Sequence, residues 1–151
     1  MSEKKKALIS ACLLGVNCKY SGGNNKLSDA LIAALNNKFA LIPVCPESYG
    51  GLPGPRQPSE RVGDRVLAKD GTDVTAQFER GAQATLTIAK MLGTQLAILK
   101  ERSPSCGSGR IYDGTFSGTL VAGYGVAAEL LEAEGVTVVG ESGAAALLEE
   151  N

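Results

Sequence analysis

Ala7-Leu8-Ile9-Ser10, between the basic Lys4-Lys5-Lys6 and the pair Ala11-Cys12, reads as a short buried strand. Three further runs share its character. Ala40-Leu41-Ile42-Pro43-Val44 is the next, although Pro43 lacks an N–H for a strand ladder. Leu96-Ala97-Ile98-Leu99 and Val136-Thr137-Val138-Val139 complete the set. Helical patterns lie between them. Ser28 to Lys38 has Ser28 as N-cap and Leu31 and Leu35 on one face. Val74 to Leu92 repeats Phe78, Ala82, Leu86, Ala89 and Leu92 at helical spacing, and Gly93 stops it. Val126 to Glu134 ends at Gly135, and Ser142 is expected to cap a last short helix. Residues 46–64 and 101–118 read as long loops, and Arg65 to Lys69 as a short extension ending at Asp70-Gly71. Strands alternating with helices predict an α/β fold: one Rossmann-like domain over residues 1–151, with a mostly parallel sheet and helices on both faces.

The composition narrows the function classes. Lys and Arg number 15 against 16 Asp and Glu, a net charge of −1. That balance argues against a protein that grips a long polynucleotide, whereas one phosphate on a small ligand needs only one cation. No apolar run is long enough for a signal-peptide core or a membrane span, so the expected location is the cytoplasm, away from any membrane. Thiols stay reduced there. Cys12, Cys18, Cys45 and Cys106 are therefore expected to serve metal or cluster binding, catalysis or burial rather than disulfides. The chain has no His, which removes the Ser/His/Asp triad, Cys/His pairs and His-bearing zinc sites. Chemistry is left to Cys, carboxylates, hydroxyls, Lys and Arg.

The strand pattern brings three cysteines together. Cys12 lies three residues past Ile9, Cys45 directly follows Val44, and Cys106 lies in the loop after Leu99. In an open parallel sheet the carboxyl ends share one edge, and ligands bind there. The sequence lacks the C-x-x-C pairs that usually mark tetrahedral zinc. A 4Fe–4S cluster usually takes four cysteines, and three would leave one iron open. Cys18 reads as a partly buried thiol of the Gly15-to-Gly23 loop; as a fourth ligand it would close the site and make an electron carrier. A zinc-binding or thiol-based regulatory domain is a third reading. Taken alone, Glu47 reads as a loop carboxylate and Ser103 as a turn residue before Pro104. Arg56, in the Pro/Gly loop after Glu47, reads as a surface charge or an anion contact. Asp73 or Thr75 reads as a helix cap and Asp113 as a turn former.

Ser10-Ala11-Cys12-Leu13-Leu14-Gly15, Cys45-Pro46-Glu47 and Ser103-Pro104-Ser105-Cys106-Gly107 resemble, in order, the motifs of a bacterial family of thiouracil desulfidases. Tyr20-Ser21-Gly22, Asp73-Val74-Thr75-Ala76 and Tyr112-Asp113-Gly114-Thr115-Phe116-Ser117-Gly118 extend the resemblance over nearly the whole chain. The resemblance implies a 4Fe–4S cluster held by Cys12, Cys45 and Cys106, with the fourth iron free for the sulfur of a thiolated pyrimidine. It implies catalytic roles for Glu47 and Ser103. It implies thiouracil or 4-thiouridine monophosphate as substrate and a non-redox reaction in which water replaces sulfur. Physical chemistry agrees, because a soft thiocarbonyl sulfur suits iron and iron acts as a Lewis acid. In a chain without His, a carboxylate is left to act as base. The charge balance favours a free base or nucleotide over intact tRNA, with Arg56 as the expected phosphate contact.

Overall fold

The structure, a computed structural model, describes residues 3–149. In chain order its elements are β1 (Lys5–Ser10), a 3-10 turn (Ala11–Leu14), α1 (Asp29–Lys38), β2 (Phe39–Val44), α2 (Pro46–Tyr49), β3 (Ser59–Val62), β4 (Arg65–Ala68), α3 (Thr75–Leu92), β5 (Leu96–Leu99), β6 (Ser108–Tyr112), β7 (Leu120–Tyr124), α4 (Val126–Ala133) and β8 (Thr137–Gly140). Two more 3-10 turns, Glu141–Gly143 and Ala145–Glu149, follow β8.

β2, β1, β5 and β8 lie side by side in that order, every pair parallel. The fold is α/β, as the alternating pattern predicts. Pro43 sits in β2, an edge strand that pairs on one side only, where a missing N–H is tolerated. Side chains alternate across the sheet. Ala7 and Ile9 of β1 and Leu96 and Ile98 of β5 pack with Leu35 of α1 and with Leu147. Leu8, Val44, Ala97 and Leu99 face the other way, onto Leu86 and Ala89 of α3 and Ala128 and Leu131 of α4. Helices therefore cover both faces. From β1 the chain steps to β2 on one side, then from β2 to β5 on the other side of β1. A crossover of constant hand then carries α1 and α3 to opposite faces. The reversal opens a crevice between the carboxyl ends of β1 and β5.

Local signals explain the boundaries. Ser28 caps α1 by accepting the Leu31 N–H at 3.2 Å. Gly93 ends α3 in the left-handed region at φ +66°. Asp73 accepts the Thr75 N–H at 2.9 Å just ahead of α3, and Asp113 accepts the Thr115 N–H at 2.9 Å in a turn.

Two expectations change. The stretches read as long loops contain α2, β3 and β6. β3 pairs antiparallel with β4 across Gly63-Asp64, and β6 with β7, so two hairpins stand beside the parallel sheet. Ser142 does not cap a helix. It lies inside a 3-10 turn, and its hydroxyl donates to Glu101 Oε2 instead. Among the described residues, no helix is long and apolar enough to cross a membrane.

Candidate active site

A cavity of about 530 Å³ lies at the carboxyl edge of the parallel sheet. Ser10 and Cys12 reach it from the end of β1, Cys45 and Glu47 from the end of β2, and Lys100, Ser103 and Cys106 from the end of β5. Cys18 and Arg56 enter from loops, and Glu60, Tyr112 and Phe116 from the two hairpins. One cavity thus gathers Cys12, Cys45, Cys106, Glu47, Ser103 and Arg56, with Cys18 beside them. Ser10 Oγ accepts the Lys100 N–H at 2.8 Å and so spans the crevice between β1 and β5.

All four thiols are free. Cys12 and Cys106 are buried, at 9% and 5% exposure. Burial pushes the Cys106 thiol up to about 12, against the opposing pull of hydrogen bonds from Ser10 and Ser105. Burial also pushes Cys12 up, opposed by a hydrogen bond with Asn25. Cys18 is raised to about 12 by burial and then by the neighbouring Cys45. Ser48 Oγ donates to Cys45 Sγ at 3.2 Å. Among the described residues no group of three or more His, Cys, Asp or Glu side chains is gathered closely enough to hold a single metal ion. The thiols instead surround a cavity. That arrangement fits a cluster several atoms across better than a point ion, and soft thiol donors suit iron and sulfide. Buried neutral thiols must lose their protons when such a group binds.

A polar chain runs beside the thiols. Glu47 and Arg56 form an ion pair with side chains only 17% and 9% exposed. Arg56 Nε and Nη2 donate to Glu47 Oε1 at 3.2 and 2.9 Å; Nη2 also reaches the Cys18 carbonyl at 3.0 Å, and Nη1 the Pro53 carbonyl at 3.0 Å. A phosphate would therefore compete for a guanidinium already committed to three partners. The other carboxylate oxygen, Glu47 Oε2, accepts from Ser105 Oγ at 2.8 Å. Ser105 Oγ is 3.0 Å from Ser103 Oγ, which accepts the Ser105 and Cys106 N–H groups at 3.1 and 3.0 Å.

Residues 7–143 match the family described as 2-thiouracil desulfurase. The chain belongs to the 2-thiouracil desulfurase family. The chain is 40% identical over 145 residues to the uncharacterized protein YbbK of Bacillus subtilis (strain 168), a match covering 89% of this chain and 95% of that one. It also resembles the solved structure of the 4Fe–4S-dependent thiouracil desulfidase TudS, with a TM-score of 0.90 and 43% identity. That match covers 97% of this chain and 99% of the other.

In this 2-thiouracil desulfurase family member, several site residues escape a reading of the sequence alone. Glu60, 8% exposed, accepts the Gly114 and Phe116 N–H groups at 2.9 and 3.0 Å and ties the hairpins into one outer wall. A signal for its hairpin was present: Gly63-Asp64 separates two four-residue runs, and Gly63 takes φ +59°. Phe116 is held at φ +57°, in the left-handed region that favours glycine. No sequence feature marks Asn25 as a neighbour of Cys12, or shows that Ser105, next to Cys106 in the chain, reaches Glu47.

Proposed function

We propose that this protein removes sulfur from a thiolated pyrimidine, thiouracil or 4-thiouridine monophosphate, by a non-redox reaction. Water oxygen adds at the thiocarbonyl carbon, the carbon–sulfur bond breaks, and sulfur leaves as hydrogen sulfide. No electron is exchanged. Cys12, Cys45 and Cys106 would hold a 4Fe–4S cluster. Bound there, it supplies an iron without a protein ligand, a Lewis acid for the soft substrate sulfur. Glu47 takes a proton from the attacking water, and Ser103 relays it toward the departing sulfur. Arg56 belongs to the substrate site through Glu47, whose carboxylate it aims into the cavity. For the nucleotide, Lys69 and Arg102 offer the phosphate partners: both line the cavity, both are exposed, and neither makes a salt bridge among the described residues. A small substrate also suits the net charge of −1 better than a long nucleic acid, and the setting is that of a cytoplasmic enzyme.

One observation carries this reading. In a family member, Cys12, Cys45 and Cys106, three of the four free thiols around one cavity, lie with a carboxylate and a serine hydroxyl. A four-cysteine electron carrier is the second reading, favoured by Cys18 in the same cavity. Anaerobic reconstitution with iron and sulfide, followed by loss of thiouracil absorbance, tests the first. Cys18→Ser separates the two. A three-cysteine site keeps its iron and its turnover; loss of iron in that variant would leave the carrier.

A further inference from the structure

Ser105 has 2% exposure and lies between Pro104 and the thiol-bearing Cys106. Its backbone is clamped. Ala127 and Ala128 donate their N–H groups to its carbonyl at 2.9 and 3.0 Å, and Val126 donates to the Pro104 carbonyl at 2.8 Å. Gly125 permits this approach, because a Cβ there would lie 2.4 Å from the Ser105 carbonyl carbon. The first turn of α4 thus fixes where the Ser105 side chain starts.

Counting donors and acceptors fixes where that side chain points. A serine hydroxyl has one hydrogen and two lone pairs. Both lone pairs of Ser103 Oγ receive backbone N–H groups, from Ser105 and Cys106. The Ser103 hydrogen is therefore the one shared with Ser105 Oγ, 3.0 Å away. Ser105, having accepted, has one hydrogen and two acceptors in reach, Glu47 Oε2 at 2.8 Å and Cys106 Sγ at 3.6 Å, and the shorter contact to the charged carboxylate takes it. The carboxylate only accepts, so the direction of the chain is set: Ser103 to Ser105 to Glu47. Arg56 closes the far end on Glu47 Oε1.

We propose that Ser105 is a positioning residue that joins Glu47 and Ser103 into one hydrogen-bonded unit. This rests on the reading of Glu47 and Ser103 as the reacting pair. Without the Ser105 hydroxyl, Glu47 Oε2 loses its donor and Ser103 loses the acceptor that aligns its hydrogen. Glu47 can then turn away from the attacking water, and the hydrogen-bonded path between the carboxylate and Ser103 is broken. A misplacement of this kind slows the chemical step while leaving the cavity and its thiols in place.

The experiment uses the full chain loaded with iron and sulfide, with S105A, S105T, S103A, E47A and the double variant S103A/S105A. S105A is expected to bind as much iron and sulfide per chain as the unaltered protein. Its kcat on thiouracil falls about 10²-fold, the size of a small misplacement at a reacting centre. KM changes little, because substrate binding is not what is lost. S105T restores the hydroxyl and recovers most of kcat. The double variant is no slower than S103A, because residues that act as a unit are not additive. Near-normal kcat in S105A would overturn the proposal, and so would losses that multiply in the double variant. Iron loss in S105A would also overturn it, by making Ser105 a residue of cluster retention. If S105A does not fold, S105G removes the same hydroxyl and takes its place. Unimpaired E47A and S103A would sink the functional reading itself, whereas their impairment beside a normal S105A would sink only this inference.

Discussion

The segment after β2 and the segment after β5 both bring a cysteine and a polar partner to the cavity, but they are held differently. After β2, α2 packs against α3 where Gly81 has no side chain; a Cβ there would lie 1.8 Å from the Pro46 carbonyl oxygen. Helix packing seats Cys45 and Pro46, yet the Glu47 carboxylate is aimed by a long side chain, Arg56, from nine residues away. After β5, residues 103–107 are held by backbone. Val126, Ala127 and Ala128 donate into it, Gly125 donates to the Gly107 carbonyl at 2.8 Å, and Gly107 donates to the Ser103 carbonyl at 2.9 Å. The serine side of the site is thus rigid by construction. The carboxylate side depends on side chains, the Arg56 guanidinium on Oε1 and the Ser105 hydroxyl on Oε2, so its aim can be altered without moving the chain.

The largest expected effect tests that contrast directly. Glu47→Ala should lower kcat by about 10²–10⁴-fold, the usual contribution of a positioned acid or base, with iron and sulfide content unchanged. Arg56→Ala should lower kcat by about 10²-fold through loss of aim, and should do so equally for thiouracil and its nucleotide. Arg56→Lys should not restore it, since a point charge cannot reproduce the paired hydrogen bonds of the guanidinium. Normal turnover in Arg56→Ala would mean that Ser105 and the backbone hold Glu47 without the guanidinium, and the contrast between the two segments would weaken.

The next effect concerns stability. Gly81→Ala and Gly125→Ala each drive a Cβ into backbone, at 1.8 Å and 2.4 Å respectively. Overpacking of this kind costs about 1–3 kcal/mol, and the gain in helix propensity offsets about 1 kcal/mol at Gly81. Gly125 has φ −65°, so alanine adds no backbone strain there and the clash alone is read. Chemical unfolding measures both losses. Because Gly125 seats the serine segment through backbone, its variant should also lose kcat, whereas Gly81→Ala should lose iron by displacing Cys45. The reverse pattern would exchange the roles given to the two glycines.

Much of this was legible in the chain. The four apolar runs end where glycine, proline or polar residues begin, so the parallel strands stand out, and three cysteines fall just past three of those ends. The polar contacts were not legible for a physical reason. Ser103 and Ser105 are two hydroxyls two residues apart, alike on paper. Which one receives N–H groups and which reaches Glu47, 58 residues away, is decided by a turn clamped on α4. Arg56 looked available for a phosphate because its partners, the Cys18 carbonyl and Glu47, come from other parts of the chain. Glu60 was lost inside a stretch whose Gly and Pro content hid a four-residue strand.

The smallest expected effect sharpens the comparison by adding the rim. Lys69 follows β4 and Arg102 follows β5, so the two cations reach the cavity from a hairpin and from the rigid segment. Arg56, Lys100 and Lys19 also line it, but the first two have carboxylate partners, Glu47 at 2.9 Å and Glu141 at 3.1 Å, and Lys19 is half-buried with its ammonium over the Tyr20 ring. An unpaired cation is the better phosphate partner, because binding then breaks no existing ion pair. Exposure limits the gain, and each contact should be worth about 1 kcal/mol or less. Lys69→Ala and Arg102→Ala should therefore raise KM for 4-thiouridine monophosphate by about fivefold each, from that same energy, and leave KM for thiouracil unchanged. Added salt should weaken the nucleotide's advantage in the unaltered protein and do nothing for the base. Equal effects on both substrates would place Lys69 and Arg102 with the wall of the cavity rather than with a phosphate, and would leave Arg56, freed from Glu47, as the contact to examine.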